Sequence, residues 1–93
     1  MADNLRVHAI IKGKVQGVCF RLETKRVADG KGVQGWVRNL ADGSVEAIFE
    51  GEKQKVTDVL EWCKRGPAIS MVTAVETVVE PFEGSYREFR ITV

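Results

Sequence analysis

A run of period two gives way, across one short glycine-bearing bend, to a run of helical period. That change constrains the fold of this chain more than any other feature. Leu5, Val7, Ala9 and Ile11 alternate with Arg6, His8, Ile10 and Lys12, which predicts a strand with one buried face. After "GKVQGVCFR" (Gly13 to Arg21), Phe20, Thr24, Val27 and Ala28 fall on one helical face, with Arg21, Lys25 and Asp29 mainly elsewhere. Gly30 and Gly32 are expected to stop that helix. The order so far is strand, glycine loop, helix.

The remainder extends the pattern. "VQGWVRNL" and "SVEAIFEG" are strand candidates joined through Asp42-Gly43, a strong hairpin turn signal. Val56, Val59, Leu60 and Cys63 then recur at helical spacing until Gly66-Pro67 ends the run. "ISMVTAVETVVE" is rich in β-branched residues and reads as a strand. "YREFRITV" closes the chain with Phe89, Ile91 and Val93 on one face. The order β-α-β-β-α-β plus a short extra C-terminal strand predicts a ferredoxin-like α+β sandwich, an antiparallel sheet with two helices on one face. At 93 residues, the chain is read as one domain spanning 1–93. The fold hosts many functions and names none.

Composition narrows the functional classes. The hydrophobic fraction of 44% and charged fraction of 29% argue against disorder. A net charge of +1 provides no global field to recruit nucleic acid or an acidic membrane, so anion chemistry has to come from a local array of donors. Apolar stretches fall far short of a membrane span. "MADNLRVHAI" lacks a signal peptide's apolar segment, so a cytoplasmic location is expected. Cys19 and Cys63 are too few for a disulfide scaffold or a zinc site, and one histidine, His8, builds no metal site unaided. The size and charge balance suit a monomer.

The loop supplies the missing donors. The first amides of a helix have no intrahelical partner, and the helix dipole makes that end partly positive. In a tight loop successive N–H groups converge into an anion nest, and Gly13 and Gly17 allow the backbone angles this needs. Gln16, Val18, Cys19, Phe20 and Arg21 would aim amides at a tetrahedral oxyanion, Arg21 would add a forked positive charge, and Phe20 would pin the helix start to the core. The loop is neither a Walker A sequence nor the dinucleotide fingerprint. A turn carrying a surface arginine remains the plainer alternative. Asn39, at the end of a strand, is either an ordinary turn-entry residue or an amide that orients a water.

Taken together, "GKVQGVCFR" and "GWVRNLADGSVEAIFEGE" resemble the acylphosphatase family, whose signature is a G-x-V-Q-G-V-x-F-R loop followed by a G-W-V-x-N strand. "EWCKRGP" and the closing "FRITV" extend the resemblance from about Leu5 to Val93. The resemblance implies hydrolysis of a small acyl phosphate, with no cofactor, no metal and no nucleic-acid partner. It implies that Val15, Gln16, Gly17, Val18, Cys19 and Phe20 form the phosphate cradle, that Arg21 binds the phosphate with them, and that Asn39 positions the attacking water. Some members carry Thr-Ser-x-Gly-Thr at the turn; here Ala41-Asp42-Gly43-Ser44 stands instead, so hydroxyl support of the asparagine is not carried over.

Two rivals remain on the residues alone. Cys19, at a helix N-terminus near an arginine, could attack phosphorus itself, although thiol-dependent phosphatases wrap a longer loop between the two groups. A phosphate-sensing module would need the same cradle, whereas an RNA reader would need clustered aromatics that Trp36, Phe49 and Phe89 do not provide. Trp36 and Trp62 read as core or core-edge packing. Glu46, Glu50 and Glu52 read as the solvated face of a strand.

Overall fold

In the computed structural model, which describes residues 3–93, the period-two run becomes β1 (Asn4–Lys14) and the helical run becomes α1 (Phe20–Lys31). Met1 and Ala2, the first two residues of the N-terminal stretch read above, lie outside the described residues. The chain continues through β2 (Gln34–Asn39), β3 (Val45–Glu52), α2 (Lys53–Cys63), β4 (Met71–Glu80) and β5 (Phe89–Ile91). The strands form one sheet in the order β4-β1-β3-β2-β5. β1 pairs antiparallel with both β3 and β4, and β2 pairs antiparallel with β3. These four strands and two helices are the expected ferredoxin-like arrangement. The extra strand β5 adds in parallel to β2, with Gly35 opposite Phe89, so the complete sheet is mixed.

Alternation decides which face is covered. Val7, Ala9 and Ile11 of β1 and Val45, Ala47 and Phe49 of β3 are buried beneath the helices. From above, Phe20, Thr24 and Ala28 of α1 and Val56, Val59 and Cys63 of α2 meet them. Phe49 stacks on Phe89 with ring centroids 5.5 Å apart, which ties β5 into the core. Fully burying such a ring stabilises the fold by roughly 1.5–3 kcal/mol. Burial pushes the Cys63 thiol up to about 12, leaving it an inert core group.

Three details differ from the sequence expectations. Gly30 does not stop α1: the helix runs through it, and Gly32, at φ 70°, makes the cap. A glycine inside a helix costs about 1 kcal/mol relative to alanine, too little to end a helix by itself. Of the three C-terminal apolar residues only Phe89 is buried; Ile91 ends β5 at the border of a surface cleft and Val93 lies beyond the strand, both exposed. The third concerns the acidic row on β3. Glu50 is 1% exposed and Glu46 is half-buried; only Glu52 is solvated. Residues 81–86 lie across this second face of the sheet, where the Glu50 carboxylate accepts bonds from Arg6 and from the amides of Glu83 and Gly84. Trp36 lies on the same face, donating to the Tyr86 hydroxyl with the Arg38 guanidinium over its ring. His8 pairs with Glu46 at 2.7 Å, a structural role. Trp62 is half-buried on α2, against Phe20. Among the described residues no helix is long and apolar enough to cross a membrane.

Candidate active site

The bend between β1 and α1 begins where β1 leaves the sheet. Gly13 has a positive φ at a β-bulge, and a Cβ there would collide with the Met71 carbonyl. Its glycine therefore serves the approach of β4, and it does not line the cleft described next. Gly17, at φ 73°, turns the chain, and Cys19 adopts the left-handed region at φ 62° as the residue before α1. Cys19 is the one non-glycine residue with a positive φ among the described residues. That conformation costs an L-residue roughly 1–2 kcal/mol.

The result is a loop whose amides are not consumed internally. Among the described residues, no protein acceptor takes the N–H groups of Gly17, Val18, Cys19, Phe20 or Arg21; the first bond of the helix entry runs from Glu23 to the Cys19 carbonyl. Successive free amides at a helix N-terminus are an anion-binding array. Phe20 anchors it: the ring is buried and packs on Trp62 with centroids 5.5 Å apart. The Thr24 hydroxyl donates to the Phe20 carbonyl at 2.7 Å, fixing the first turn of the helix.

Val15, Gln16, Gly17, Cys19, Phe20, Arg21 and Asn39 surround one cleft of about 380 Å³. Val18, expected among them, is different: its side chain is buried in the core, so only its backbone is available to the loop. Arg21 is half-buried and makes no ion pair among the described residues. It is the cleft's one charged lining side chain. Lys25, one turn further along α1, is committed to Asp29 and to the Phe89 carbonyl.

Asn39 is the last residue of β2, opposite Val45 across the hairpin. Its Oδ1 is buried and has no hydrogen-bond partner. An orphaned acceptor of this kind generally costs 1–3 kcal/mol. The turn beyond it closes through the Leu40 amide to the Ser44 carbonyl at 2.8 Å. Asp42 accepts from the amide and hydroxyl of Ser44, so the turn's own hydroxyl is used within the turn and does not support Asn39. Gln16 was expected through its backbone; sequence gave no sign that its side chain also reaches this turn, donating to the Leu40 and Ser44 carbonyls.

A second cleft, of about 430 Å³, lies beside Trp36, Tyr86 and Arg90, away from the unpaired amides. No group in it matches the donor array of the first.

Comparison with known proteins agrees with the resemblance. The acylphosphatase family model matches residues 7–91. An acylphosphatase from Syntrophobacter fumaroxidans is 49% identical over 90 residues, covering 97% of this chain and 93% of its own length. One from Synechococcus is 54% identical over 84 residues, covering 90% and 89%. The crystal structure of an acylphosphatase from Bacillus subtilis superposes with a TM-score of 0.92 at 32% identity, covering 96% of this chain and 99% of that one.

Proposed function

The chain belongs to the acylphosphatase family, and from that premise we propose how it hydrolyses acyl phosphates. The amides of the Val15–Phe20 loop and the guanidinium of Arg21 hold the phosphoryl oxygens, and Asn39 holds a water in line behind phosphorus. The water oxygen forms the new P–O bond as the bond from phosphorus to the acyl oxygen breaks. The acyl group leaves as a carboxylate, and the water's proton passes to a phosphoryl oxygen, giving inorganic phosphate. A mixed anhydride has a good leaving group, so the protein's part is positioning and charge stabilisation.

What supports this reading most is one pairing of unused groups. A run of amides, an arginine and a buried Asn39 Oδ1, all without partners among the described residues, border the same cleft. Donors fixed before the reaction need little rearrangement as charge develops. On the same reading the chain works as one domain and as a cytoplasmic monomer.

The test is turnover. Purified protein is mixed with benzoyl phosphate and the loss of acyl phosphate absorbance followed. Hydrolysis inhibited competitively by inorganic phosphate is expected. Phosphate binding without turnover would instead make this a sensing module.

A further inference from the structure

The side chain of Gln16 bridges the two halves of the site. Its Nε2 donates to the Leu40 carbonyl at 2.8 Å and to the Ser44 carbonyl at 2.9 Å. Both partners are carbonyl oxygens, which only accept, so the amide nitrogen must face them. The same carbonyls close the turn: Gly43 donates to Leu40 at 3.2 Å and Leu40 donates to Ser44 at 2.8 Å. Gln16 therefore grips the turn that begins immediately after Asn39.

That grip matters because of what Asn39 lacks. Its side-chain amide makes no hydrogen bond to protein among the described residues, and its Oδ1 is buried without a partner. Local bonds do not orient it; its place opposite the loop depends on where the end of β2 sits. Among the described residues, the two bonds of Gln16 are the only hydrogen bonds joining loop 15–21 to residues 39–44. Gln16 itself is a loop residue, one position before Gly17.

We propose that Gln16 is a positioning residue, whose side chain sets the distance between the phosphate cradle and the water-holding amide of Asn39. The proposal rests on the water-positioning reading of Asn39 given above. Gln16→Met keeps the length and removes both donors. A misplacement near 1 Å can cost about 100-fold in rate, so kcat is expected to fall about 10- to 100-fold. Arg21 and the loop amides remain, so the Ki of inorganic phosphate should stay within about threefold.

A double-mutant cycle with Asn39→Ala separates positioning from general loosening. If Gln16 acts through Asn39, Gln16→Met in the Asn39→Ala background should lower kcat by less than about twofold. An equal loss in both backgrounds, an unchanged kcat in the single variant, or a loss confined to phosphate affinity would each overturn the proposal. If Gln16→Met does not fold, Gln16→Asn keeps the donor but withdraws it by one methylene, and the same split with a smaller fall is expected. An Asn39→Ala protein with intact kcat would remove the underlying reading and this proposal together. Slowed Asn39→Ala beside normal Gln16→Met and Gln16→Asn would remove this proposal alone.

Discussion

Two regions of the molecule concentrate polar groups, and they treat them in opposite ways. On the sheet face beneath residues 81–86, the Glu50 Oε2 gathers three donors. Arg6 reaches it at 3.1 Å and also bonds Glu80 at 3.0 Å, while the amides of Glu83 and Gly84 donate to the same oxygen. Burial pushes the Glu50 carboxyl up, but the Glu83 amide, Arg6 and the Gly84 amide outweigh it and hold the group below its ordinary value. In the cleft between the β1–α1 loop and Asn39, the amides, Arg21 and Asn39 Oδ1 have no such partners among the described residues. A partnered buried network rigidifies a fold, whereas donors left open at a cleft stay available to a ligand. The contrast sets a structural knot apart from the proposed site without reference to any relative.

Substitutions at the two places should therefore fail differently. The largest effect is expected from Arg21→Ala, which removes the cleft's formal charge: turnover of benzoyl phosphate should fall by about 10³-fold or more with little change in melting temperature. A melting temperature that dropped in step with activity would mean that Arg21 supports the fold. Asn39→Ala comes next, with kcat lower by about 10²-fold and the Ki of inorganic phosphate nearly unchanged; an unaltered kcat removes it from the mechanism.

Glu50→Ala should invert that pattern. It strips Arg6 of one of its two carboxylate partners, Glu80 remaining, and leaves the Glu83 and Gly84 amides without their acceptor, so it should destabilise by about 1–3 kcal/mol, seen in chemical denaturation. The kcat of the folded fraction should hold, and a lost kcat would tie the knot to the cleft. The pH dependence follows from the lowered carboxyl. Its contribution is complete above the ordinary glutamate value of 4.5 and is lost as pH falls through the lower folded value. Wild-type stability should decline in that acid window, and Glu50→Gln should flatten this part of the profile. Cys19→Gly is the smallest change expected. It relieves a left-handed residue by about 1–2 kcal/mol but adds the chain entropy of glycine, about 0.5–1 kcal/mol. Turnover should persist; its abolition would bring back attack by the thiol.

Much of this was legible along the chain because the governing interactions are local. The alternation of Val7, Ala9 and Ile11 gave β1, Asp42-Gly43 gave the hairpin, and the loop before α1 was marked by Gly17. Gly30 misled because helix termination is decided by φ, and only Gly32 takes the left-handed value. Glu50 misled for a longer-range reason. Periodicity placed it on the face away from the helices, but the segment covering that face comes more than thirty residues later in the chain. The side-chain reach of Gln16 was hidden likewise, since its partners lie 24 and 28 residues away.

By itself the sequence determined the periods, the turns, the loop able to present free amides, and the family. These depend on backbone preference and on neighbours a few residues apart, which a linear pattern records. Only the tertiary structure decided that Asn39 would meet that loop with an unused acceptor, that the Gln16 side chain would bond the turn after Asn39, and that Glu50 would be enclosed. Those outcomes depend on which strand lies beside which and on what crosses the sheet, and a hydrogen bond between distant segments exists only once both have been packed into place.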